Sequence, residues 1–268
     1  EFRTVVADVP LPGVNASRIE ALETTAHSLL QSYRTADEIN AALDEIERIP
    51  TPRWPLWIGS LAAGLACAGF AVLNQLGYFA ALIVFCCAAV GQYLRGRLHH
   101  RHLNLLGVTA LSAAASSSLY LCIAYLVPGQ DVSAGFIAAV LFLVPGFPLF
   151  TSFLDLARFD FTAGIPRLFF AAEIITVTML TVSIVAMLSG TPAPVTPAHE
   201  PTLEYYLSGA VASFVAVGCF AVLFNSSRRM ALIAAFLGAL ANLGRLALLS
   251  LGVRSFLAAF LAALCIGL

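Results

Sequence analysis

From Trp54 onward the chain is a succession of apolar runs separated by short stretches that collect the arginines, prolines and histidines. A helix needs about 20 apolar residues to cross a ~30 Å hydrocarbon core. On that ruler the pattern predicts eight membrane helices, at roughly 54 to 74, 77 to 94, 105 to 127, 132 to 154, 163 to 188, 206 to 224, 230 to 251 and 254 to 268. Before Trp54 the pattern changes. "TVVADV" (4 to 9) alternates and predicts a strand. Ser17 and Glu20 have the spacing of a capping box for a helix to about Tyr33, with Ile19, Leu22, Leu29 and Leu30 on its apolar side. Thr35 and Glu38 repeat that spacing ahead of Ile39, Ala42, Leu43 and Ile46, and Pro50, Pro52 and Pro55 form a hinge into the membrane. The expected fold is an all-α polytopic membrane protein with a short α/β lead-in. Its parts are a lead-in over 1–53, a first transmembrane unit over 54–190, an external loop over 191–205 and a second, truncated unit over 206–268.

Composition agrees with the pattern: 60% of the 268 residues are apolar and 11% are charged, outside the range of soluble globular domains. Nine of the fifteen acids precede Trp54, so a short soluble segment leads a long membrane domain. The arginines set the orientation. "RGRLHHRHLN" (95 to 104), "DLARFD" (155 to 160) and "NSSRR" (225 to 229) fall on one side with the lead-in, while "PGQD" and "SGTPAPVTPAHEPTLE" on the other side contain no Arg. Positive charge stays inside, which predicts a cytoplasmic lead-in, with Arg254 as the one loop exception. Scattered arginines and a net charge of -1 exclude nucleic acid as an expected partner. The six cysteines lie in apolar spans and read as structural thiols. No signal peptide precedes Trp54, and a chain that starts at Glu1 and stops at Leu268 inside an apolar run is expected to be part of a longer one.

Sliding the chain by 150 residues reveals an internal repeat. Gly59, Ala62, Ala66, "FAVL" (70 to 73), "ALI" (81 to 83), Ala89, Arg95 and Leu98 meet identical residues, and Gln92 falls opposite Asn242. Five spans separate the two starting points, so the copies enter the membrane in opposite directions, as the inverted repeats of secondary transporters do.

The fourth span carries the most unusual chemistry, "LVPGFPLFTSFLDLARFD" (143 to 160). A helix begun at Val132 has risen ~20 Å when it reaches Pro145, so the break is expected at bilayer depth. Pro145 and Pro148 remove two backbone donors and Gly146 permits unusual dihedrals. Such a break is either a plain proline kink or, lining a polar cavity, a substrate site. Asp155, Arg158, Asp160 and Arg167 can form a charged cluster at the inner mouth, either a gate or proton relay or an interfacial anchor. Asp155 and Arg158 are spaced to pair across one turn. Glu173, deeper on the same span as Arg167, is a proton-coupling candidate. Arg245 or Arg167 could meet a substrate carboxylate, Arg245 could instead pair with Glu173, and Gln92 and Asn242 either touch substrate or join helices. "SAAASSS" (112 to 118) suits close helix packing, and "HHRH" (99 to 102) suits lipid headgroups better than a metal. No nucleotide-binding fingerprint or nucleophile elbow is present, so neither an enzyme nor a cofactor is expected.

Three stretches resemble the threonine/serine exporters, the ThrE-like family: "VPLPGVNASRIEAL...EINAALDEIERIPTPRWP", "PGFPLFTSFLDLARFDFTAGIPR" and "FAVLFNSSRRMALIAAFLGALANLGRLAL...SFLAAFLAALCIGL". The resemblance implies ten spans behind a cytoplasmic region, and export of small hydroxy amino acids driven by the proton motive force. Related proteins with the halves on separate chains are linked to succinate export, which makes a dicarboxylate the alternative substrate. A non-transporting membrane scaffold subunit is the alternative of a different class. Pro145, Gly146, Pro148, Asp155, Arg158, Asp160, Gly164 and Arg167 fall on the family's middle motif. The implied partners are a small amino or organic acid, protons and membrane lipid. The resemblance also implies that two spans of the second unit lie beyond Leu268, and the sequence leaves a homo-oligomer open.

Overall fold

The computed structural model describes residues 14–31, 35–99, 101, 103–127, 135–191 and 202–267. Every regular element among them is helical. The strand expected at 4 to 9 and the "PGQD" turn lie outside the described residues.

The lead-in forms α1 (Ala16–Gln31) and α2 (Ala36–Glu47). The second capping box is made: Thr35 Oγ1 accepts from the Glu38 N–H at 3.4 Å and Glu38 Oε2 accepts from the Thr35 N–H at 2.9 Å. The first is not. Asn15 caps α1, its Oδ1 accepting from the Arg18 N–H at 3.2 Å, and Ser17 lies inside the helix. The S-x-x-E spacing is therefore coincidental here, because the hydroxyl and the carboxylate both turn to another part of the chain. Ser17 donates to the Asn225 carbonyl at 2.7 Å, and Glu20 accepts from Ser227 at 3.2 Å.

The membrane helices follow as α3 (Leu56–Leu73), α4 (Tyr78–His99), α5 (Leu105–Leu126), the short α6 (Gly135–Ala138) with a 3-10 turn over Leu141–Leu143, α7 (Gly146–Ala157), α8 (Phe161–Ser189), α9 (Leu203–Leu223), α10 (Arg228–Ser250) and α11 (Ser255–Gly267). Six of these, α3, α4, α5, α8, α9 and α10, are long and apolar enough to span a bilayer. The protein is thus a multi-pass membrane protein. The fourth predicted span is split between α6 with its 3-10 turn and α7, which meet at a 62° bend. At 13 residues α11 rises only ~20 Å.

The α3–α4 and α9–α10 hairpins pack through α3 and α9, α5 lies against α4 and α8, and α7 lies along α8. Small residues bring the backbones together. A Cβ on Gly64 would sit 2.6 Å from the Phe85 carbonyl oxygen, and one on Gly69 would sit 2.8 Å from that of Ala212. The serines of α5 serve the same purpose: Ser112, Ser116 and Ser117 are fully buried, and Ser116 donates across to the Cys87 carbonyl at 3.2 Å. The core gathers Cys67, Val84, Cys87, Tyr120, Phe142 and Leu143 around the broken segment.

The two hairpins turn in the same way. N–H groups of Asn74, Gln75 and Leu76 donate to carbonyls of Phe70, Val72 and Ala71 at 3.0, 2.9 and 3.0 Å. Their counterparts 150 residues on, Phe224, Asn225 and Ser226, donate to Phe220, Val222 and Ala221, each at 3.0 Å. Gln75 and Asn225, the paired apex residues, have left-handed φ values of 62° and 57°.

Candidate functional site

The site begins with two missing N–H groups. Without a donor at Pro145, the Leu141 carbonyl cannot make its helical bond and accepts from the Val144 N–H at 3.1 Å, which tightens the chain into the 3-10 turn. Without a donor at Pro148, the Val144 carbonyl accepts from the Gly146 N–H at 2.9 Å. Val144 itself has φ -65° and ψ 121°, the extended conformation that a following proline imposes. The helix then restarts with Pro145 as N-cap and no side chain capping it. The break is wider than the prolines alone require. Regular α-helix ends at Ala138 and resumes only at Gly146, so the unwound stretch runs from Ala139 to Pro145.

This stretch walls a cavity of about 450 Å³, within the ~300–1,000 Å³ range of small-molecule sites. Leu143, Val144, Pro145 and Pro148 line one side, and Gln92, Arg95 and His99 of α4 line another. Those three are spaced at i, i+3 and i+7, so one face of α4 is polar where it meets the break. Phe170 and Ile174 of α8, with Phe220, Leu223, Phe224 and Asn225 at and just past the end of α9, contribute further walls. The N-terminus of α7, with its partial positive charge, opens beside Pro145 and Pro148. Among the described residues, no Asp or Glu lines the cavity.

Two of its polar atoms have no partner among the described residues. Arg95 Nε and Gln92 Oε1 are sealed from solvent and make no hydrogen bond there. The repeat supplies the contrast. At the equivalent positions on α10, Asn242 Oδ1 accepts from Arg245 Nε at 3.1 Å and from its terminal nitrogen at 2.9 Å, while Asn242 Nδ2 donates to the Gly209 carbonyl at 3.1 Å. The same amide and guanidinium pair is closed on itself in the second hairpin and left unpartnered in the cavity wall in the first.

The structure brings together Gln92, Pro145 and Pro148 of the predicted site residues, with Gly146 between the prolines. It does not bring Arg245 or Asn242 there, because α10 packs on α9 and α11 and not on the broken segment, nor Arg167, which is held by Asp155 and does not line the cavity. Asp155 pairs with Arg167, not with Arg158, which caps the end of α7 through its own N–H. Asp160 caps α8: its Oδ1 accepts from the Thr162 hydroxyl at 2.8 Å and the Ala163 N–H at 3.2 Å. Those two bonds hold the exposed Asp160 carboxyl below the usual carboxylate range. Glu173 is exposed on α8 and has no hydrogen bond or ion pair among the described residues.

Arg95 is the site residue that the apolar ruler misses. The ruler stops at the first charge and leaves Arg95 in a loop, whereas α4 continues to His99, with Arg95, Arg97 and Leu98 as good helix formers around Gly96. Its match to Arg245 in the repeat is the signal in the sequence that points to it. Among the described residues no group of three or more His, Cys, Asp or Glu is arranged to hold a metal ion. His100 and His102 lie outside them.

Residues 1–189 match the family profile of the threonine/serine exporters, ThrE, and residues 209–268 match a second profile described as "Threonine/Serine exporter, ThrE". Among curated proteins, the chain is 34% identical over 118 residues to "Probable succinate transporter subunit YjjP" of Escherichia coli (strain K12), across 43% of this chain and 45% of that protein. It is 30% identical over 161 residues to the protein of the same name in Klebsiella aerogenes, across 58% of this chain and 59% of that one. The chain thus spans about half the length of the curated relatives it matches. No solved structure matches it.

Proposed function

The chain belongs to the threonine/serine exporter family, and from that premise we propose that it is a secondary transporter that moves threonine or serine out across the bacterial inner membrane, driven by the proton motive force. The observation that carries this reading is the unpartnered pair in the cavity wall, which a shift of the side chains would present to a solute. Arg95 Nε lacks an acceptor, which a carboxylate supplies, and Gln92 Oε1 lacks a donor, which a hydroxyl or ammonium supplies. A hydroxy amino acid carries all three groups. The α7 N-terminus adds favourable potential for the carboxylate, and the break around Pro145, Gly146 and Pro148 offers backbone polar groups.

A succinate-like dicarboxylate is the second reading. His99 lies one turn beyond Arg95 on the same wall, no acid among the described lining residues neutralises an ammonium, and the curated relatives are named as succinate transporter subunits.

For the coupling ion we assign Asp155, whose partner Arg167 would be released when the carboxylate takes a proton. Arg158 and Asp160 shape the turn between α7 and α8 that holds this pair. Glu173 is the second candidate, since an unpaired carboxylate ~18 Å along a membrane helix is costly unless water or protein meets it. Arg245 and Asn242 act as a helix brace. The matched hairpin turns support two inverted units, 54–190 and 206–268, joined by 191–205, with the lead-in over 1–53 on the cytoplasmic side.

The test is counterflow of labelled threonine, serine and succinate in proteoliposomes of the full-length protein under an imposed pH gradient. Threonine or serine uptake that collapses with the gradient is the expected result. Succinate alone would select the second reading, and movement of none beside a working control would overturn both.

A further inference from the structure

Part of the cavity wall comes from outside the membrane helices. Val14, just before α1, and Thr51, in the proline hinge before α3, line it next to Asn225. Asn225 ties these pieces together. Its Nδ2 donates to the Val14 carbonyl at 2.8 Å, and its Oδ1 accepts from the Arg53 N–H at 2.9 Å. Its main-chain carbonyl accepts from the Ser17 hydroxyl at 2.7 Å and the Ser17 N–H at 3.4 Å. The Arg53 guanidinium donates back to Ser17 Oγ at 2.8 Å, which closes the ring of contacts.

This attachment is polar. Neither α1 nor α2 packs extensively on a membrane helix, so little buried apolar area holds the lead-in in place. Hydrogen bonds of this kind contribute modestly against water and can be exchanged for it. The repeat shows that the turn itself does not require them. Gln75, the apex residue of the first hairpin, has the same left-handed backbone, yet its side chain makes no hydrogen bond among the described residues. The ring of bonds is an addition at one mouth only.

We propose that the described part of the lead-in, α1 and α2 with the proline hinge, is a hinged gate over this mouth of the cavity and that Asn225 is its latch. Opening breaks the four bonds to Asn225 together with two beside them, Ala16 N–H to the Phe224 carbonyl at 2.9 Å and the Ser227 hydroxyl to Glu20 at 3.2 Å, and Pro50, Pro52 and Pro55 let the lead-in swing as a unit. The gate rests on the cavity being the solute site.

The experiment uses full-length protein in proteoliposomes, with the six native cysteines replaced and one reporter cysteine introduced by Ile174→Cys, on the cavity wall. Ser17→Cys with Asn225→Cys provides a reversible lock. Oxidation is expected to slow alkylation of the reporter by a membrane-impermeant maleimide at least ~10-fold and to stop solute flux, with reductant restoring both. Asn225→Gly, which keeps the left-handed turn and removes the amide, is expected to speed alkylation several-fold. Equal alkylation rates in the oxidised, reduced and Asn225→Gly proteins would overturn the gate, as would undiminished flux through the locked protein. If the lock controls alkylation while no solute moves after reduction, the gate stands and the transport reading falls.

Discussion

Two arginines at equivalent positions of the two hairpins have opposite surroundings. Arg245 is satisfied by Asn242, while Arg95 and Gln92, in the cavity wall, hold a buried donor and a buried acceptor without partners among the described residues. Gln has one methylene more than Asn, and that difference separates a brace from a pair open to a ligand. Asn242→Ala is therefore expected to cost about 1–3 kcal/mol by leaving Arg245 without its acceptor. Thermal unfolding in detergent should show this as a lowered Tm, with solute affinity unchanged. Asp160 offers a prediction of a different kind. Its carboxyl is held low by Thr162 and Ala163, so its contribution to stability is fully present above the ordinary carboxylate pKa of ~3.9 and is lost as the pH falls below that, through the lowered folded-state value. Asp160→Asn should flatten the dependence of Tm on pH in the acid range while leaving the neutral value nearly unchanged.

Among the elements, the broken span depends on close packing around it. A Cβ on Gly91 would lie 1.8 Å from Ser116 Oγ and 2.9 Å from Phe142 Cζ, so Gly91→Ala must push the 3-10 turn or α5 away from α4. Such overpacking costs about 1–3 kcal/mol. Because Phe142 belongs to the cavity wall, the variant should also lose solute affinity, measured by binding in detergent beside the Tm shift. The apolar runs made most of these helices legible, since length and hydropathy are properties of the sequence alone. The prolines announced the break but not its width, because unwinding back to Ala139 depends on the helices packed around it. The first capping box misled for a related reason: Ser17 has the right spacing, but its hydroxyl is drawn to Asn225, 208 residues away.

At the scale of the molecule, two hairpins with matching turns meet through α3 and α9, and the cavity forms where the first of them meets the broken span and the end of the second. The repeat was legible as an ungapped register, yet the sequence led to Arg245 or Arg167 as the site cation, because Arg245 lay well inside an apolar run and Arg167 followed the proline break, while Arg95 read as a loop residue. The pairing of Asp155 with Arg167 was likewise hidden, since it crosses the turn between α7 and α8. The central claim is that the solute's carboxylate rests on Arg95 at the break. It is tested most directly by equilibrium binding of labelled threonine, serine and succinate to the purified full-length protein, comparing wild type with Arg95→Gln and Arg245→Gln. Loss of a charged hydrogen bond worth about 1.5–3 kcal/mol predicts affinity weakened by ~10-fold or more in Arg95→Gln and nearly unchanged in Arg245→Gln. Wild-type affinity in Arg95→Gln, or a loss confined to Arg245→Gln, would contradict the account.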